Sequence, residues 1–182
     1  SDLFNDGSLS LTGGALWIQT GATTQGNGQY SLNGNIIVEG GTFTPGTSTV
    51  TLTGTGIQTI SLNPTNFYNL TINKPSGTAS LGLGSITVSN ELNMLAGNLN
   101  LNGKDIDLTG NGAIAGESPA SYIYSTSGGV VKKTVDLNAP ASVNPGNIGA
   151  SITSSANLGS TTIQRGHDVQ DVNGAVSILR YY

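Results

Sequence analysis

The feature that most constrains this chain is a short apolar-x-apolar theme that returns along most of its length. Its clearest line is Phe67-Tyr68-Asn69-Leu70-Thr71-Ile72, and the same pair stands at Leu9/Leu11, Ile36/Val38, Val50/Leu52, Ile86/Val88, Leu99/Leu101 and Ile106/Leu108. A strand sends alternate side chains to opposite faces, so each pair puts two aliphatics on one side and Thr, Ser, Asn or Asp on the other. The second apolar positions 32, 52, 72, 88 and 108 are separated by 20, 20, 16 and 20 residues. A period near twenty predicts a solenoid, in which successive rungs lie about 4.8 Å apart and equivalent aliphatics form ladders down the interior.

Composition supports strands over helices. Of the 182 residues only 9% are charged and 5% aromatic, while Gly numbers 27. Disorder needs high net charge with few aliphatics, so this chain should fold. Few Lys, Glu or Ala residues remain to surface a helix, whereas Thr, Val and Ile suit pleated, half-buried strands. The net charge is −4. Residues 1–117 hold seven acids against Lys74 and Lys104, and residues 118–182 hold three acids against Lys132, Lys133, Arg165 and Arg180. Neither part offers the basic stripe that phosphate neutralisation requires, which argues against nucleic acid as a partner. Cysteine is absent, so a secreted fold would rest on strand pairing and core stacking. No apolar run approaches a membrane span of about 20 residues, and Ser1-Asp2-Leu3-Phe4 does not resemble a signal peptide. We expect a segment of something longer.

Corners are marked by residues that tolerate turns. Asn5-Asp6-Gly7, Thr12-Gly13-Gly14, Gly26-Asn27-Gly28 and Asn33-Gly34 punctuate the first third, and an antiparallel hairpin is an alternative at each Asn-Gly. Pro45-Gly46 and Lys74-Pro75-Ser76-Gly77 predict further corners. The aliphatic pattern stops after Gly116. Beyond it, strands are expected near 122–125 and 129–135, joined across Thr126-Ser127-Gly128, and near 148–153, 160–165 and 175–181. The expected fold is therefore all-β: a parallel β-solenoid of about 20-residue rungs over 1–117, then a small antiparallel β-sandwich-like module over 118–182. The last strand, 176–182, is apolar and lacks a charged terminator, which predicts a strand partner outside it and a module left unfinished at Tyr182.

Several phrases carry a resemblance. GTFTPGTSTVTLTGTGIQTI (41–60), FYNLTINKPSG (67–77), ITVSNELNMLAGNLNLNGKDIDLTGNGAI (86–114) and GNIGASITSSANLGSTTIQRGH (146–167), with ILRYY at 178–182, resemble the repeat regions of very large adhesin-like surface proteins of Bacteroidetes. Proteins of that kind are commonly exported by the type IX secretion system. The resemblance implies an extracellular or cell-surface structural segment, with polysaccharide or neighbouring domains of a longer chain as partners.

No residue pattern specifies chemistry, and no catalytic, cofactor or metal residue is expected. Asp105 and Asp107 leave one face of a strand and could hold a cation or divide acid and base work, but they also suit the solvated face opposite Ile106 and Leu108. His167 neighbours Asp168, yet no Gly-x-Ser-x-Gly elbow supplies a nucleophile; a hydrogen-bonded turn histidine is the expectation, with a structural partner for Arg165. Trp17, Tyr30, Tyr68, Tyr122 and Tyr124 could stack on sugars, and Tyr68, beside inward Phe67, is the candidate ligand-binding residue. Asn69-Leu70-Thr71 has the form of a glycan acceptor. Beside the structural and adhesive reading stand a carbohydrate-active β-helix enzyme or binding module, and an ice-binding solenoid for which Thr49, Thr51 and Thr53 would form a rank.

Overall fold

The computed structural model describes residues 2–61, 65–167, 170–172 and 175–178. Each turn of the chain lays strands on three faces, and equivalent strands pair in parallel from rung to rung, the first face being divided into one ladder that ends at Thr42–Thr44 and another that begins at 65–67. The first face holds Leu3–Phe4, Thr23–Gln25 and Thr42–Thr44, then 65–67, 86–88, Ile106–Leu108 and the start of Val130–Asn138. The second holds Ser8–Leu11, Gln29–Leu32, Thr49–Leu52, 69–72, 91–94 and Ala113–Ala115. The third holds Leu16–Gln19, Ile36–Glu39, Gln58–Ser61, 78–81, 98–100 and Ile123–Tyr124. The strands Thr65–Leu81 and Ile86–Asn100 run through the corners and serve all three faces in one sweep. The protein is thus a parallel β-solenoid, as the alternation predicts. Among the described residues the one helical element is a single 3-10 turn, Pro145–Asn147.

The alternating aliphatics make the interior. On the second face Leu9, Tyr30, Val50, Leu70, Leu92 and Ile114 stand in register, and beside them run Leu11, Leu32, Leu52, Ile72 and Met94. From Leu32 to Met94 every member of that second ladder is fully buried, which contributes about 1.5–3 kcal/mol per large side chain. Tyr30 and Phe43 meet edge to face with ring centroids 5.9 Å apart, and Phe43 reaches Phe67 at the same separation. Phe67 then continues into Val88 and Leu108 on the first face.

Corners are held by tight backbone approach. A Cβ on Gly34 would lie 1.4 Å from the carbonyl oxygen of Gly14 one rung below, so no side chain fits there. Asn33 donates its backbone N–H to Leu11 O of that rung, and the flanking strands pair with other rungs instead of with each other. The hairpin alternative for Asn33-Gly34 is thereby replaced by a solenoid corner. Gly77 adopts φ +71 at the Lys74-Pro75-Ser76-Gly77 corner, where any Cβ would also meet Gly56 O at 2.4 Å. Polar side chains reinforce the corners: Asp6 accepts from the Asn27 backbone at 2.8 Å, and Asn27 Oδ1 accepts from the Thr47 backbone at 3.0 Å.

The parallel stack runs on past residue 117. Ile123–Tyr124 pairs in parallel with Leu99 and Asn100, and Val131 and Lys132 pair in parallel with Ile106 and Asp107. Residues 126–128 form a corner between faces. The change of texture at Glu117 arises because the buried Ser125 takes the inward place that Leu101 holds one rung earlier and Ser121 is buried as well; Ser121 Oγ donates to Gly97 O at 2.7 Å. Antiparallel pairing begins with Val130–Asn138, which lies against Asn157–Gly166, and a separate antiparallel pair joins Gln170–Val172 to Ala175–Ile178. The expected strand near 148–153 is a loop with one isolated bridge, Val143 to Ile152. That loop closes the end of the core: Ile148 is fully buried, and Asn147 Nδ2 donates to Ile114 O at 2.8 Å. Of the expected strand 176–182, residues 176–178 lie in the last pair and 179–182 fall outside the described residues.

Candidate functional site

The outward positions of the three faces differ in chemistry. The first carries Asn66, Thr87, Asp107 and Lys132 in one column. The second carries Ser10, Ser31, Thr51, Thr71, Asn93 and Ala115, with Gln29, Thr49, Asn69 and Glu91 beside them. Thr49 stands between Gln29 and Asn69, and Thr51 between Ser31 and Thr71, so threonines do not form a continuous rank, and the Thr53 hydroxyl turns back to Leu32 O at 3.2 Å. Asn69 Nδ2 donates to Thr49 Oγ1 at 3.1 Å while its Oδ1 accepts from Asn90 at 2.7 Å, so the amide of the Asn69-Leu70-Thr71 acceptor pattern is engaged in a polar ladder between rungs.

Asp105 and Asp107 flank the buried Ile106, as alternation requires. The Asp105 carboxylate accepts the Val130 N–H at 3.1 Å and lies 3.7 Å from the Lys132 ammonium. It stabilises the passage to the next rung. Among the described residues no three His, Asp or Glu side chains converge as a metal-holding group.

His167 is buried, and its Nε2 accepts the Arg165 Nε hydrogen bond at 3.2 Å. Arg165, also buried, donates through Nη1 to Ile148 O at 2.9 Å and to Glu117 Oε2 at 2.8 Å. Glu117 Oε1 in turn accepts the Ile123 N–H at 3.1 Å. These groups tie the antiparallel hairpin and the capping loop to the last rung. Asp168 lies outside the described residues.

The aromatic side chains separate clearly. Tyr30 belongs to the core, and burial raises its phenol pKa. Tyr68 points outward but is half-buried, at a place where the pairing shifts register between Phe67 and Asn69. Trp17 is 55% exposed and donates its indole N–H to Glu39 Oε2 at 3.2 Å. Trp17, not Tyr68, is the most open ring among the five candidates. Tyr122 and Tyr124 are half-buried on the outward side of the third face, with ring centroids 5.9 Å apart. A groove of about 230 Å³ beside Trp17 is floored by the core residues Leu16 and Ile18 at the first rung.

Sequence reasoning missed two interior cations. Lys74 is 1% exposed, and its Nζ donates to Gly54 O at 2.6 Å and to Gln58 Oε1 at 2.7 Å. Lys133 is buried and donates to Gly110 O at 2.6 Å. Desolvation lowers the pKa of both amines, for Lys133 against an opposing pull from Asp107. Parity could have found them: Lys74 continues the inward series Leu70 and Ile72, and Lys133 follows inward Val131. Both bind backbone carbonyls at corners and serve the wall of the stack. Comparison of the chain with protein-family models, with curated proteins and with solved structures gives no match.

Proposed function

We propose that the chain is a structural and adhesive segment of a secreted bacterial cell-surface protein, a repeat stalk of the kind implied by its resemblance to large Bacteroidetes surface proteins. The observation that carries this reading is the continuous interior ladder from Leu9 to Ile114 beneath outward columns made mostly of Ser, Thr and Asn. A parallel stack of this type gains length by about 4.8 Å per rung and needs no disulfide for cohesion. A polar, sparsely charged wall stays hydrated outside the cell while offering hydroxyls and carboxamides to glycans. The test is to display the chain on bacterial cells through an anchored fusion and to measure attachment to polysaccharide-coated surfaces under flow. Cells carrying the chain should be retained above cells carrying the anchor alone. Equal retention would remove the adhesive part of the proposal.

A further inference from the structure

The third face carries outward aromatic rings at both of its ends. Trp17 stands on the first rung, its ring held by the hydrogen bond to Glu39, and Tyr122 and Tyr124 stand together on the sixth. Five rung steps separate them, roughly 24 Å along the stack. Next to Trp17 the second rung carries Ile37 and Glu39, and from the third rung on the outward residues are small or polar and uncharged, including Ser80, Asn98 and Asn100, in register with the tyrosines through the pairing of Asn100 with Tyr124. Asn98 Oδ1 accepts the Tyr122 N–H at 3.1 Å, and Asn100 Oδ1 accepts from Asn102 at 2.9 Å. Those bonds engage both carboxamides through their oxygens, which frees their N–H groups to donate elsewhere.

We propose that this face is a binding track for a neutral, extended polysaccharide. The reading rests on the adhesive role above and assigns it to one surface. Aromatic rings offer flat apolar surface to the C–H faces of pyranose sugars, while carboxamide N–H groups and hydroxyls bind sugar hydroxyls. The rung spacing is close to the rise of one sugar in an extended β-linked chain, so a glycan lying along the stack meets a polar group at each step. The ligand class follows from charge: Glu39 is the one ionised side chain at the outward positions of this face among the described residues, and it is bonded to Trp17. The first face carries the exposed Phe4 but also Asp107 beside Lys132, and the second carries Glu91, so neither joins aromatic rings to a neutral surface.

Native affinity electrophoresis through gels containing hydroxyethylcellulose, glucomannan or alginate tests the assignment. The two neutral polymers should retard the protein, and alginate should not. Trp17→Ala and the pair Tyr122→Ala/Tyr124→Ala should each weaken retardation about tenfold. Tyr68→Ala, at the corner between the first and second faces, should leave it unchanged, and thermal melting confirms that each variant is folded. Retardation that survives the third-face variants, or that is lost with Tyr68→Ala, would overturn the track while leaving the adhesive role in place. No retardation by either neutral polymer would overturn the track as well, and the flow experiment then decides separately whether the adhesive role stands.

Discussion

The Lys74 ammonium lies 2.7 Å from Gln58 Oε1 inside the wall of the stack, and the same oxygen accepts the Gly54 backbone N–H at 2.6 Å. Gln58 Nε2 donates to Leu32 O and Gly34 O, at 2.9 and 2.7 Å, so this one side chain links three rungs. Lys74 closes the arrangement by donating to Gly54 O. A neutral amine has two N–H donors, and these two acceptors satisfy both. The third hydrogen of the ammonium gains nothing comparable, and burial disfavours the charge.

A pH dependence follows. The folded Lys74 pKa is lowered by desolvation, whereas the unfolded chain titrates near the ordinary value of about 10.4. Between these values the unfolded state binds more protons, so stability rises with pH. The contribution is complete above the unfolded value and is lost as pH falls through the folded one. Tyr30 acts oppositely: its raised pKa makes its contribution disappear as pH climbs past about 10. Comparing the native chain with Lys74→Met cancels Tyr30 and isolates the lysine. The melting temperature of the native chain minus that of the variant should increase from about pH 8 to about pH 10.4. A flat difference across that window would show that Lys74 stays charged in the fold.

The inward register is tested at one strand. Ile72 is fully buried between Leu52 and Met94, while Thr71 faces outward between Thr51 and Asn93. Ile72→Asp places an unpaired carboxylate in the ladder and should cost about 4–5 kcal/mol or more, enough to abolish cooperative melting of a marginally stable chain. Thr71→Asp should stay within about 0.5 kcal/mol of the native chain. Thermal melts of the two variants decide the matter, and similar melting would mean that the faces are exchanged.

Alternation made the strands and their inward sides legible, because each β-residue has only two directions to point. The ladders themselves were harder to read. The series 32, 52, 72, 88, 108 joins two faces: Ile72 continues to Met94, 22 residues on, whereas Val88 follows Phe67 on the first face and leads to Leu108. An apolar-x-apolar pair looks the same on every face, so spacing alone assigns it wrongly where corner lengths differ. The solenoid beyond residue 117 was obscured because buried Ser121 and Ser125, their hydroxyls satisfied by the carbonyls of Gly97 and Gly128, stand where an aliphatic signal was sought. Parity made Tyr68 the most open ring, but it is half-buried, at a register shift between Phe67 and Asn69 that sequence does not show, and Trp17 is the open one. The aromatic clustering on the third face required the rung register before Trp17 and Tyr124 could be placed on one surface.

The junction between the stack and its antiparallel hairpin supplies the last prediction. Glu117 leaves the sixth rung and meets Arg165 from the hairpin at 2.8 Å, with the guanidinium only 2% exposed. Arg165 also holds Ile148 of the capping loop through its carbonyl. Removing one member of such a buried pair leaves a charge without its counterion, at a cost of about 3–5 kcal/mol. Glu117→Ala should therefore loosen the hairpin and the loop while the distant rungs stay closed, since stacked repeats depend mainly on their neighbours. Amide exchange by mass spectrometry should show faster exchange in 130–138 and 157–166, with protection in 29–72 retained. The double variant Glu117→Leu/Arg165→Met, which removes both charges, should recover much of the lost protection. Uniformly faster exchange in Glu117→Ala along the whole chain would show instead that the pair supports the entire stack as one cooperative unit.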